Sequence, residues 1–476
     1  VLHVSPTLYG HWRAQSGLGL ALHDDPEHPP EAVLQMIWQH QRLDRNKLIS
    51  VDGQPVRVLH PGFRSVEGGP DFRGAVISVG GASPVSGDVE VDLRPNGWKA
   101  HGHDVNPAFS GVILHVVWDG AGSVANEPRR LSLQPALDAP VGELGFLLAG
   151  QGDLLPEAAQ GRCCEPLRGL TFEQRAEILH QAARVRLESK AAQFQARARQ
   201  AGWDQSLWEG LFRALGYKHN VWPMQAVSES RQRWQAPGLG LVGLQARLFG
   251  ISGLLPQELS RGPEGQYLRH IWDAWWRERE EFADCSLPRQ VWRLHGVRPV
   301  NHPVRRLALA AQWVARNDLT SRLERWCSER VSASALPDSL LPCLQGEPDP
   351  FWTRHYTFAS KPLPADQPLL GTARTTDLAM NVVIPWLWVR AADGNNAELK
   401  QQLESRYFQW PPAQDNAVLK LARQRLLGSA NRDGLRTAAA QQGLVQIVRD
   451  FCEHSDATCA GCRMPDLAKD FCALRI

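Results

Sequence analysis

The sequence predicts an α/β domain at the amino-terminal end followed by a mostly α-helical domain. Four short β-patterned runs lie between residues 55 and 118 behind one helix-patterned segment, and clusters of Gly, Pro, Asn and Ser separate them. From Thr171 onward helical periodicity dominates and strand signals become scarce. Taking the elements in order, Glu31–Leu43 (EAVLQMIWQHQRL) follows Pro29 and Pro30 and sets Val33, Leu34, Ile37, Trp38 and Gln41 at helical spacing. The runs Pro55–His60, Phe72–Val79, Gly87–Arg94 and Val112–Trp118 are β-branched or alternating, and each predicts a strand. Gly97–Phe109, bracketed by Trp98 and Phe109, has room for a short helix, so the expected order is helix, three strands, short helix, strand.

The texture changes after Pro128. Pro135–Pro156 is punctuated by Pro and Gly and reads as a connector, which gives an expected organisation of 1–130 α/β domain, 131–160 connector and 161–476 helical domain. Thr171–Ala201 is predicted as one long helix, with Thr171 and Gln174 at capping-box spacing. Its Arg175, Arg184, Arg186, Lys190, Arg197 and Arg199 read as a solvated face. The tryptophans that follow, such as Trp208, Trp234, Trp275 and Trp292, read mostly as core.

The totals are those of a folded globular protein: 476 residues, 43% hydrophobic and 21% charged, with a net charge of +2 that neither demands nor excludes nucleic acid. No secretory pattern opens the sequence, and Leu239–Leu255 is interrupted by Gln245 and Arg247, so no membrane segment is expected. Nine cysteines without a secretory pattern point to a reducing compartment, with the cytoplasm as the expected location.

Candidate chemistry concentrates between Asp71 and His115. Side chains alternate across a strand, so Asp88, Glu90, Asp92 and Arg94 share one face while Val89, Val91 and Leu93 share the other. Three carboxylates spaced by two repel one another unless solvent, Arg94 or a metal ion offsets the charge. Asp71, after Pro70, enters the preceding strand where hairpin pairing brings it beside Glu90. Hard oxygen ligands of this kind suit Mg2+ or Mn2+. A polar outer hairpin face with Asp71 and Asp88 at turns is the bland alternative. A third reading uses His101, His103, Asp104 and His115 as imidazole and carboxylate ligands for Zn2+ or Fe2+, although His115 alone, inside VILHVVW, reads as a core histidine.

Two resemblances bear on these residues. The helix at Glu31, HPG at His60–Gly62, GPDF at Gly69–Phe72, GDVEV at Gly87–Val91, Trp98, His101-Gly102-His103, VILHVVW, RLESK at Arg186–Lys190, RPVNHP at Arg298–Pro303 and the cysteine tail together resemble the bacterial family DUF2851. The sequence departs from that family's pattern at Glu90-Val91-Asp92, where Glu-x-His is usual, and at Ser65, where Asn is usual. The amino-terminal part also resembles the PD-(D/E)xK nucleases, which implies a restriction-endonuclease-like fold. That resemblance implies Asp71 and Glu90 as ligands of Mg2+ or Mn2+ and Glu31 as an assisting group on the first helix. Asp92 occupies the position of the family's lysine, leaving Arg94 or Lys99 to supply a cation, and His101 and His103 to hold phosphate or orient water.

At the other end, Cys452, Cys459 and Cys462 form C-x6-C-x2-C, with Cys472 beyond and Cys163 or Cys164 upstream. Thiols at this spacing predict a [4Fe-4S] cluster or a structural Zn2+ that clasps the ends of the helical region. Arg298, Arg305 and Arg306, with the basic residues of Thr171–Ala201, are candidates for a phosphate-tracking groove, against the plainer reading of packed helices. The function expected from the whole is metal-dependent hydrolysis of DNA or RNA phosphodiesters. The rivals are a non-catalytic module binding nucleic acid or protein, and a His/carboxylate metalloenzyme acting on a small molecule.

Overall fold

The computed structural model describes residues 7–15, 29, 31–65, 69–120, 127–139, 162–217, 219–256, 263–414, 417–428, 435–452 and 462–473. Helix α1 spans Leu8–Gln15 and α2 spans Glu31–His40. The second helix ends earlier than its apolar pattern, because Gln41 turns to a left-handed φ of 49° and Leu43 leaves to bridge Leu137. Six strands follow: β1 (Val56–His60), β2 (Phe63–Arg64), β3 (Phe72–Val79), β4 (Val85–Asp92), β5 (Val112–Val117) and β6 (Arg129–Ser132). The third predicted run lies two residues earlier than Gly87–Arg94. Leu93 and Arg94 have already turned into the short helix α3 (Gly97–Ala100), where the Gly97 amide donates to the Arg94 carbonyl at 3.0 Å.

The sheet order is β1-β3-β4-β5-β6, with β2 on β3. Pairs β1–β3 and β3–β4 are antiparallel, whereas β4–β5 and β5–β6 are parallel. Parallel neighbours need a crossover, and the α3 segment between β4 and β5 supplies it. One sheet face, with Phe72, Ile77, Val89, Val91, Leu114 and Val116, packs on Leu34, Ile37 and Trp38 of α2. Leu59 and Val76 instead enter the core of the helical region, so sheet and helices share packing. The sheet runs through Ser132, past residue 130.

Helices α4 (Cys164–Gly169) and α5 (Phe172–Ala201) open the helical region. The capping box is present: Thr171 Oγ1 accepts from the Gln174 amide at 3.2 Å, and Gln174 Oε1 accepts from the Thr171 amide at 2.9 Å. The solvated-face reading of α5 holds for Arg199, which is exposed, but not for Arg184, Arg186 and Arg197. Arg186 is buried, Arg184 pairs with Glu404, and Arg197 pairs with Glu209 at 2.8 Å, because further helices pack around α5 on several sides. The tryptophans are mostly core, with Trp234, Trp313, Trp326, Trp352, Trp386 and Trp410 almost fully buried. Among the described residues no helix is long and apolar enough to cross a membrane.

Candidate functional site

Asp71 sits at the entry of β3 and Glu90 near the exit of β4, which the antiparallel pairing brings to the same end of the sheet. A β-bulge between Phe72 and Ala75 makes the fit, with Gly74 at φ +65° and its amide donating to Asp88 Oδ1 at 3.0 Å. Asp88 is therefore occupied in holding the bulge. Two further bonds brace the strands: the Asp71 amide donates to Glu90 Oε2 at 3.0 Å, and the Val91 amide donates to Asp71 Oδ2 at 3.1 Å. Gln35 on α2 donates to Asp71 Oδ1 at 2.9 Å and to Glu31 Oε1 at 3.3 Å. Glu31 thus meets Asp71 through one shared amide. Gln35 was missed in the sequence, though its place one turn after Glu31 puts both on one helix face.

The expected alternation along β4 is present, but its ionic face is covered. The segment 96–110 folds over it, anchored by a small cluster of Trp98, Phe109 and Val112. His103 stacks on Phe109 with centroids 3.9 Å apart, and its Nε2 lies 3.1 Å from Glu90 Oε1. His101 Nδ1 lies 3.1 Å from Asp92 Oδ1, and His115 Nε2 lies 2.9 Å from Asp92 Oδ2. His115 is fully buried on β5, where the parallel register sets it beside Glu90. Gly97 lets the cover close, since a Cβ there would stand 2.5 Å from Asp92 Oδ1.

Burial dominates the electrostatics. It pushes the Asp71 carboxyl up to about 6, with Glu31 and Asp92 adding repulsion. It pushes Glu90 up to about 8, helped by Asp71. Glu31 is raised, first by burial and then by Asp92. His103 is lowered by burial and so kept neutral.

Ligand atoms of Asp92, His101 and His103 all lie within 4.8 Å of one another, and among the described residues no other set of three His, Cys, Asp or Glu is as compact. His103 Nδ1 is buried without a hydrogen bond, while Nε2 faces the Glu90 carboxyl. The donor set, two imidazoles and a carboxylate beside Asp71 and Glu90, fits Zn2+, Mn2+ or Fe2+ at least as well as Mg2+. The compact group is thus not the expected Asp71–Glu90–Glu31 triad. The expected lysine substitutes stand elsewhere: Lys99 Nζ pairs with Glu127 at 3.4 Å, and Arg94 is exposed beyond the end of β4.

His60 of the HPG segment has a structural task. Its Nδ1 accepts from the Gly62 amide at 2.9 Å, and burial lowers it to about 4. At the far end of the chain, Cys163 and Cys452 are buried in one apolar cluster with Tyr9 and Trp12, and Cys462 packs against it. Cys459 lies outside the described residues, and Cys472 falls on the helix Met464–Ala473. The expected basic groove around RPVNHP is not formed by Arg305 and Arg306. Both are buried, donating to the carbonyls of His355 at 2.8 Å and Leu369 at 2.6 Å.

Comparison with the curated proteins and with the solved structures gives no match. A family model described as protein of unknown function (DUF2851) matches residues 31–416, leaving α1 and the cysteine tail outside the matched span. Since that span is well over half of the chain, the protein belongs to the DUF2851 family.

Proposed function

We propose that this protein is a metal-dependent hydrolase of nucleic-acid phosphodiester bonds. The observation that carries the reading is the convergence of Asp71, Glu90 and Asp92 with His101 and His103 at one end of the sheet. The order helix α2, antiparallel β1, β3 and β4 with the two-residue β2 on β3, short helix α3, then parallel β5 and β6 is in keeping with a restriction-endonuclease-like core. Asp92, His101 and His103, with Asp71 and Glu90 beside them, would hold the ion, which supplies charge to a phosphate oxygen and acidifies a water. His103, lowered by burial and 3.1 Å from Glu90, would give its single lone pair to that ion and so acts as a ligand and not as the base.

One observation favours a second reading. Two imidazoles and one carboxylate form the most compact ligand set, an arrangement equally at home in a mononuclear metallohydrolase acting on a small molecule. The tail thiols Cys452, Cys459 and Cys462, with Cys472 or the upstream Cys163 or Cys164 as the fourth, are proposed as a separate structural clasp for Zn2+ or a [4Fe-4S] cluster.

The deciding experiment incubates the full chain with labelled single- and double-stranded DNA and RNA in Mg2+, Mn2+ or Zn2+. Cleavage is expected, falling by about 100-fold or more in Asp71→Asn, Glu90→Gln and Asp92→Asn. Stoichiometric metal binding without cleavage of any of these polymers would move the assignment to the small-molecule reading. Cleavage that survives all three substitutions would remove the site altogether.

A further inference from the structure

A cavity of about 520 Å³ lies between the carboxyl-terminal end of α2 and the inner face of α5. Among the described residues its wall carries eight arginine and lysine side chains and two carboxylates, Asp138 and Glu209. Four of the cations have acidic partners: Arg42 with Asp138 at 2.7 Å, Arg13 with Asp450 at 2.9 Å, Arg197 with Glu209 at 2.8 Å, and Arg45 with Glu229. Arg213 donates to Gln225, a neutral amide. Among the described residues neither Lys190 nor Arg449 makes a side-chain hydrogen bond or an ion pair.

This is an expensive arrangement for a protein interior. An unpaired ammonium costs several kcal/mol to withdraw from water, and nearby guanidinium groups add repulsion. Burial pushes the Lys190 ammonium well below its ordinary value, and Arg186, Arg449 and Arg213 push it further in the same direction. Lys190 is nonetheless only half-buried by area, which is the mark of a side chain facing an internal space. The aromatic wall adds a second feature. Trp222 lies under the Arg213 guanidinium, 4.8 Å from its centroid, and Phe194 faces the same space.

We propose that this cavity is a binding site for a nucleoside polyphosphate, whose phosphates neutralise Lys190, Arg449 and Arg213 and whose ring packs on the aromatic wall. Ligand pockets run from about 300 to 1,000 Å³, so the volume suits a molecule of nucleotide size. Clustered guanidinium groups with a lysine match phosphate better than carboxylate, since several oxygens can each take a charge-assisted bond. The site is separate from the metal centre. Glu31 and Gln35 serve that centre from the first half of α2, whereas Gln39 and His40 line the cavity at its other end. Nine residues of helix put about 13 Å between Glu31 and His40.

The experiment titrates the full chain with ATP, tripolyphosphate, AMP and a 5′-phosphorylated oligonucleotide by calorimetry, without divalent metal. ATP and tripolyphosphate are expected to bind saturably and to raise Tm. Lys190→Met and Arg449→Met should each weaken binding by about tenfold or more, the scale of one charge-assisted contact. Because each substitution removes an uncompensated cation, the ligand-free variants should melt at or above the wild-type temperature, whereas a merely structural cation would leave them less stable. A measurement on the unaltered protein covers variants that fail to fold: amine acylation mapped by mass spectrometry should show Lys190 protected by tripolyphosphate. Asp71→Asn should bind ATP normally, which keeps this result independent of the hydrolytic reading. Absence of saturable ATP and tripolyphosphate binding, unchanged binding in both variants, no protection of Lys190, or binding of the oligonucleotide alone would each overturn the proposal.

Discussion

Glu90 and Asp71 hold protons far above the usual carboxylate range, and this makes the proposed metal centre a proton-linked site. Glu90 moves from 4.5 to about 8 and Asp71 from 3.8 to about 6, both mainly through burial. Between those limits the folded chain binds more protons than the unfolded one, so the contribution of these groups to stability falls as pH rises. A bound cation reverses the sign, because it competes with the protons and binds more tightly as pH increases. Calorimetric titration with Mn2+ is therefore expected to show affinity rising from pH 6 to pH 8. Metal-free melting should show the opposite slope, flattened in Glu90→Gln. A pH-independent Mn2+ affinity would show that neither carboxyl takes part. Much of this was legible residue by residue. The alternation of Asp88, Glu90 and Asp92 and the pairing of Asp71 with Glu90 follow from strand geometry. The cover over them was not, since the stacking of His103 on Phe109 depends on a loop path that no period records.

Elements stood out in the sequence where they carry their own pattern and were hidden where a neighbour makes them. Phe72–Val79 has β-branched alternation and Thr171–Gln174 has a cap, and both are found where the pattern puts them. Strand β6 is only Arg129–Ser132, RRLS, and exists because Leu114 to Val117 of β5 pair with it. The most testable element contact lies between α5 and the helix Ala438–Phe451. A Cβ at Gly443 would stand 2.1 Å from the Leu179 carbonyl oxygen and 2.9 Å from its carbon, so the glycine lets two helix backbones touch. Alanine normally favours a helix over glycine by about 1 kcal/mol, but here the clash is with backbone that cannot rotate away. Overpacking of this kind costs about 1–3 kcal/mol or more and should win. Gly443→Ala is expected to lower the denaturant midpoint, and an unchanged or raised midpoint would show that the helices can part freely.

At the scale of the molecule, residues from the beginning, middle and end of the chain close on one another. Tyr9 donates its hydroxyl to Asp450 at 2.7 Å, Arg13 pairs with the same carboxylate at 2.9 Å, and the Tyr9 amide donates to Gln181 at 2.9 Å. Contacts across more than 400 residues leave no trace in a local pattern, which is why α1 was not foreseen and why it belongs with the helix Ala438–Phe451 rather than with the sheet. Cys163 and Cys452 are buried in this same cluster, and Cys462 packs against it, so the proposed ion would sit where α1 and the helix Ala438–Phe451 already meet. Four thiolates around one ion leave no open coordination position, which makes its contribution one of stability. Anaerobically purified protein is therefore expected to contain about one zinc, or iron with a broad absorbance near 400 nm, per chain. Cys452→Ser or Cys462→Ser should lose that metal and melt about 5 °C or more below the parent, while Mn2+ binding at the acidic centre persists. Protein that carries neither zinc nor iron, yet melts at the same temperature with and without chelator, would reduce these cysteines to ordinary members of an apolar core.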